Sequence, residues 1–181
     1  MAGKERTDEE LMRAYVGGDA AAFRVLFDRY GPRLLRLAMR YMRDEELARE
    51  VVQQTFFRLH AARNDFRLDA KLRPWVFTIA MNLVREHYRK KKRRKETALE
   101  EARIPAPEAR RSPLELRERA TLLRRALGEL PDSQREVVEL HWFEERPFRE
   151  VAAIVGSTEG AVRVRAHRAY KKLAALLGDV L

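Results

Sequence analysis

The chain has 181 residues, no cysteine and a net charge of +10. The lack of cysteine excludes structural disulfides, thiol catalysis and cysteine-ligated zinc, and it fits a reducing compartment. Apolar residues make up 45%, too many for a wholly disordered chain; no apolar run reaches the ~18 residues of a membrane span, and the polar start MAGKERTDEE is no signal peptide.

Strand signals are nearly absent and the apolar spacing is helical almost throughout. Thr7 and Glu10 form a capping box that opens a short helix ending at Gly17 and Gly18. Asp19 caps a second helix, with apolar positions at Phe23, Leu26, Phe27, Tyr30, Leu34, Leu37 and Tyr41 and a kink expected at Pro32. Asp44 caps a third, running to about residue 62. A loop spans Asn64 to Arg73. Pro74 suits the first position of a fourth helix, which runs into the stretch YRKKKRRK. Then ETALEEARIPAPEARRSP loses the apolar period and carries Pro105, Pro107 and Pro113, as a linker does. Ser112 and Glu115 suggest a second capping box, and helix resumes through Leu116, Ala120, Leu123 and Leu127. The expected fold is all-α: two small helical domains, 1–95 and 113–181, joined by a flexible linker at 96–112.

Charge is unevenly divided. Residues 1–95 hold 23 Lys and Arg against 13 Asp and Glu, whereas residues 96–130 hold seven of each and residues 131–181 eight of each. A one-signed field on half a chain points to a polyanionic partner.

Three surfaces follow from helical geometry at ~100° per residue. On the fourth helix, Val76, Ile79, Ala80 and Leu83 share one side. Thr78, Asn82, Arg85, Arg89 and Lys92 form a narrow stripe on the other, bordered by Trp75 on one edge and by Phe77 and Tyr88 on the other. Cations hold phosphates and rings stack on exposed bases, so the stripe suits single-stranded or melted nucleic acid; Trp75 by itself reads as a core residue.

On the third helix, Leu47, Ala48, Val51, Val52, Thr55, Leu59 and Ala62 make the buried side. Glu46, Arg49, Glu50, Gln53, Phe57 and His60 lie opposite, with Gln54 at the edge. Phe57 amid hydrogen-bonding groups is either a stray exposed ring or a protein-binding hot spot. His60 has no companion ligand, so no metal site is expected.

Residues 131–173 read as helix, helix, tight turn at Gly156, helix, a helix-turn-helix pattern. On the last helix Val162, Ala166, Ala169 and Leu173 face inward. Gly160, Val164, His167, Arg168 and Lys171 face outward, flanked by Arg163 and Arg165. Residues 157–172 hold five bases and one acid, and residues 131–156 three bases and six acids. Small residues at 160 and 164 admit a groove floor, while long cations reach phosphates.

These stretches together resemble the bacterial sigma-70 family, in its small extracytoplasmic-function (ECF) group. EVVQQTFFRLH is similar to the family's polymerase-binding helix, RPWVFTIAMNLVREHYRKKKRR to its −10 segment, and LPDSQREVVELHWFEERPFREVAAIVGSTEGAVRVRAHRAYKKL to its C-terminal DNA-reading segment. The likeness spans nearly the whole chain. It implies a cytoplasmic, non-enzymatic factor that needs no cofactor. Such a factor binds core RNA polymerase at its clamp and flap, recognises promoter DNA, helps melt it and initiates transcription.

By position, the resemblance places Glu50, Gln53, Gln54 and Phe57 against polymerase. It places Thr78, Asn82, Arg85, Arg89 and Lys92, with the 64–73 loop, against the −10 element. Thr158, Gly160, Arg163, Arg165, His167 and Arg168 meet the −35 element. The chain ends at Leu181, so no fused sensory domain is expected and a separate anti-sigma factor is the implied regulator.

The chain departs from the family pattern at Met81, Gln54, Glu86, His87, Ala161 and Val164; the last two remove hydroxyls that could bond phosphate or base. Rival readings are weaker. A response regulator needs a receiver with alternating strands and helices, which the first half lacks. A nuclease needs clustered carboxylates for metal, but the acids here sit at helix starts, where caps and dipoles explain them. A binder of anionic membrane leaves the second domain without a purpose, and no membrane insertion is expected.

Overall fold

The computed structural model describes residues 6–67, 69–97 and 114–178. All regular structure among them is helical, and the chain divides into two compact units, Met1–Arg103 and Ile104–Leu181.

The first unit holds α1 (Asp8–Val16), α2 (Ala20–Met42), α3 (Glu45–Ala61) and α4 (Leu72–Thr97), with a 3-10 turn at Arg63–Asp65. Each early start has a physical cause. Thr7 and Glu10 exchange the two hydrogen bonds of a capping box. The Asp19 carboxylate accepts from the N–H groups of Ala21 and Ala22, and Asp44 accepts from Leu47 N–H. These side chains satisfy donors that a first turn leaves without partners. Pro32 lies inside α2, which continues to Met42. Pro74 is the third residue of α4 rather than the first; its missing N–H still falls in the first turn, where no intrahelical acceptor exists.

Leu11, Leu26, Leu34, Leu37, Val51, Leu59, Leu72 and Val76 form the core between the four helices. Aromatic pairs extend it. Phe56 meets Phe23 edge-on and Phe27 at 4.7 Å, and Phe77 meets Tyr30 at 6.4 Å. Two ion pairs hold the edge of α3 and α4: Glu86 reaches Arg58 on α3 at 3.5 Å and Lys90 on its own helix at 2.8 Å. Lys90, then Arg58 and His87, hold the Glu86 carboxyl below its usual range.

The second unit holds α5 (Leu114–Gly128), α6 (Asp132–Val138), which runs on as a π turn at Glu139–Phe143, α7 (Phe148–Val155) and α8 (Glu159–Leu177). Ala126, Leu127 and Leu130 pack on Val138, Ala169, Leu173 and Leu177, and the Lys172 ammonium donates to the Glu129 carbonyl. The π turn was not expected. Its extra residue widens the helix end and leaves Trp142 67% exposed, edge-on to Tyr170. The second capping box, at Ser112, lies outside the described residues. So does the predicted linker, apart from Glu96 and Thr97 at the end of α4.

Candidate functional site

Three surfaces can be built from these elements. The first is the outer face of α3. Its inner face is filled by Ala48, Val51, Val52, Thr55, Phe56 and Leu59. Leu47 and Ala62, expected inside, are half-buried, while Phe56 is core. The buried arc is thus wider than a single stripe, because α3 packs on both α2 and α4.

Opposite that arc Phe57 is 72% exposed. Glu50 and Gln53 are exposed beside it and Gln54 is half-buried. Gln54 Nε2 donates to Glu50 Oε1 at 2.7 Å, so a carboxylate and an amide are already ordered next to the ring. His60 is exposed and shares a hydrogen bond with the Tyr15 hydroxyl, which ties α1 to α3. No group of three or more potential metal ligands occurs among the described residues.

The second surface is the stripe on α4, and here one expectation is corrected. Phe77, read as an edge aromatic, is 0% exposed and belongs to the core, as do Met81 and Val84. The reason is again packing on several sides: α4 touches α1, α2 and α3, so its apolar arc is broad and its polar face narrow. Met81 therefore departs from the family pattern on the inside of the helix.

The stripe itself is in place. Asn82 and Arg89 are exposed, and Thr78 and Arg85 are half-buried. Arg85 Nη1 donates to Asn82 Oδ1 at 3.0 Å, and Arg89 Nε donates to the Arg85 carbonyl at 3.2 Å. The Thr78 hydroxyl is engaged inside the helix, donating to the Pro74 carbonyl. Lys92 continues the helix, but its side chain lies outside the described residues.

The rings beside the stripe are Trp75, packed 5.1 Å from buried Phe66, and Tyr88, edge-on to Tyr41. The loop before α4 is tethered to α1: Glu9 accepts from Leu72 N–H at 3.3 Å and faces Lys71 at 3.8 Å. At its tip Arg67 and Asp69 pair at 2.9 Å, and this guanidinium holds the Asp69 carboxyl below its ordinary range.

The third surface belongs to α8. Gly156 closes α7 at φ 66°, ψ 49°, a left-handed geometry that favours glycine. The turn presses Val151 and Ile154 of α7 and Val162 and Ala166 of α8 into one core. Thr158 caps α8 by accepting from Ala161 N–H at 3.2 Å.

Gly160, Arg163, Val164, His167 and Arg168 are exposed and Arg165 is half-buried, all on the side away from that core. A Cβ at Gly160 would meet nothing within 4 Å, so the chain's own packing does not demand a glycine there. Two supports for Arg163 were missed. Glu159 Oε1 accepts from its Nη2 at 2.6 Å and its Nε at 3.2 Å. Its guanidinium also lies 5.0 Å from the ring centre of Phe148, which in turn stacks on His141 at 4.0 Å. The i, i+4 spacing of Glu159 and Arg163 could have revealed the first; the second depends on the turn.

Among the described residues, all-helical in their regular structure, a cationic helix face in one unit and a helix-turn-helix in the other suit a DNA-binding protein. The comparisons narrow that class. Residues 26–94 match Sigma-70 region 2 and residues 120–173 match Sigma-70, region 4. The ECF RNA polymerase sigma factor SigM of Mycobacterium tuberculosis is 34% identical over 174 residues, covering 96% of this chain and 86% of that protein.

Two solved structures share the fold. CnrH, in complex with the cytosolic domain of CnrY, has a TM-score of 0.75 and 30% identity, covering 94% of this chain and 96% of that one. The sigma factor RpoE of Bartonella quintana, in complex with the anti-sigma factor NepR, has a TM-score of 0.71 and 25% identity, covering 87% and 97%. The chain belongs to the sigma-70 family, in its ECF group. It is a promoter-recognising transcription initiation factor that works with RNA polymerase, and not an enzyme.

Proposed function

We propose that the three surfaces divide the work of initiation. The α3 face, with Glu50, Gln53, Gln54 and Phe57, docks on the polymerase clamp. The α4 stripe of Thr78, Asn82, Arg85, Arg89 and Lys92 captures the melted −10 strand. The α8 face, with Thr158, Gly160, Arg163, Arg165, His167 and Arg168, reads the −35 element as duplex. The functional domains run 1–95 and 113–181, and residues 96–112 connect them through the polymerase; the second domain also meets the flap.

The observation that carries this reading is Asn82 with its two arginines. They present an amide and two cations on one narrow face of α4, the mixture that holds a backbone and a base edge together. Gly160 supports the −35 assignment, since the open space above it has no use inside the chain. The factor acts in the cytoplasm, where polymerase and promoter are. A separate anti-sigma factor restrains it; the Bartonella quintana relative, bound to one, supports this. Among the described residues no helix is long and apolar enough to cross a membrane.

The test is the double substitution Arg85→Ala with Arg89→Ala. Promoter opening, read by permanganate reactivity of the melted strand, is expected to fall while polymerase binding persists. The salt slope of DNA binding drops by roughly 0.7–0.9 for each phosphate that is no longer neutralised. Unchanged slope and unchanged reactivity remove the stripe from the −10 site.

A further inference from the structure

A second cationic feature lies on the first unit, formed by residues outside the stripe. α1, α2 and the start of α4 enclose an open cleft lined by Asp8, Arg29, Tyr30, Arg33, Arg36 and Arg73. Four guanidiniums thus face one carboxylate. Asp8 is already committed: it pairs with Arg29 at 2.8 Å, lies 3.8 Å from Arg73 and accepts from the Tyr30 hydroxyl at 2.5 Å. Burial, then the bond to Asp8, pushes the Tyr30 phenol far up, so it stays a neutral donor that fixes the carboxylate. Arg33 and Arg36 have no ion pair or hydrogen-bond partner among the described residues. They sit three residues apart on α2 and so project side by side.

Side chains this long lose much rotamer freedom when ordered, and like charges held together repel. Four arginines around one satisfied acid leave an excess of positive charge, which an anion supplied from outside would relieve. Guanidinium forks match phosphate oxygens two by two.

We propose that this cleft is a phosphate-binding site, with Arg33 and Arg36 as its free ligands and Asp8 as the strut that aims Arg29 and Arg73. The phosphate is carried on a nucleic-acid backbone or on a free small molecule. Only Arg73 overlaps the surfaces assigned above: it closes the 64–73 segment expected against the −10 element and is the second residue of α4. Arg29, Arg33 and Arg36 belong to none of them, so the site stands apart from the −10 assignment.

The test uses the full chain and Arg33→Gln with Arg36→Gln. Both residues lie at the surface, Arg36 exposed and Arg33 half-buried, and Arg36→Gln alone is read in the same way, with half the effect, if the double variant unfolds. Calorimetry with inorganic pyrophosphate at low salt is one arm. The salt dependence of binding to a single-stranded oligonucleotide is the other. A free-phosphate ligand predicts that pyrophosphate binds the parent and is weakened about tenfold for each guanidinium removed. A backbone ligand predicts that the oligonucleotide slope falls by about 0.7 for each phosphate that is no longer neutralised. Either response supports the site. Unchanged behaviour of a folded variant in both arms overturns it. Arg85→Ala with Arg89→Ala separates this from the −10 reading: it lowers the oligonucleotide slope and leaves pyrophosphate binding intact.

Discussion

Replacing Phe57 with alanine separates partner binding from folding, because the ring is 72% exposed and the opposite face of α3 is already full. Folding buries only about a quarter of a phenyl ring's ~200 Å². At ~25 cal/mol per Å² that quarter stabilises the fold by about 1.2 kcal/mol. A compact unfolded state reduces the figure by roughly 10–40%, and alanine returns about 0.5 kcal/mol of helix propensity. The net loss is about 0.5 kcal/mol or less, a shift of about 2 °C for a chain of this size. Polymerase would cover the other three quarters, and central aromatic anchors of that kind cost about 2 kcal/mol or more when truncated, about 30-fold in Kd. Thermal unfolding of the isolated variant reads the first quantity, and fluorescence titration against core polymerase reads the second. A fall of many degrees in melting temperature refutes the assignment of the helix face. Parent values in both assays refute the docking surface.

Arg163→Ala is expected to weaken transcription from promoters that need a −35 element, by about 1–3 kcal/mol at one base position if it reads a base and uniformly across sequences if it holds phosphate; parent activity on such a promoter excludes it. Gly156→Ala puts a Cβ on a left-handed residue and should destabilise the second unit by about 1–2 kcal/mol, read by thermal unfolding; an unchanged melting temperature contradicts the role given to the turn. The backbone N–H of Ala22, then Arg6, hold the Asp19 carboxyl below its ordinary value of 3.8. A depressed carboxyl contributes stability that is complete above the unfolded value and is lost as pH falls through the folded one. Asp19→Asn should therefore flatten the acid limb of the stability profile below about pH 4, and an identical limb in parent and variant removes the contribution.

The helix starts were legible because their signal is local. Thr7, Asp19 and Asp44 each precede an apolar period, and a short oxygen-bearing side chain at that place has one strong use. The outer face of α8 was legible for a related reason: Val162, Ala166, Ala169 and Leu173 leave a single polar arc, and Gly156 marks where it begins. Phe57 was legible as an anomaly whose purpose stayed open. Phe77 was not legible, because periodicity places one buried stripe on a helix and α4 is covered from three sides. Phe56, next to Phe57, was left off the buried side of α3 for the same reason. The π turn at Glu139–Phe143 has no composition of its own. The Asp8 cleft joins residues 8, 29 and 73, a closeness that only packing creates.

Run-off transcription from a randomised promoter library, with the purified chain and bacterial core polymerase, tests the central claim most directly. Transcripts should depend on adding the chain. The selected templates should share two elements, one near −35 and one near −10, and Arg163→Ala should blur the first while Arg85→Ala with Arg89→Ala blurs the second. Transcripts no more abundant than with core polymerase alone, or templates sharing no paired elements, contradict the account.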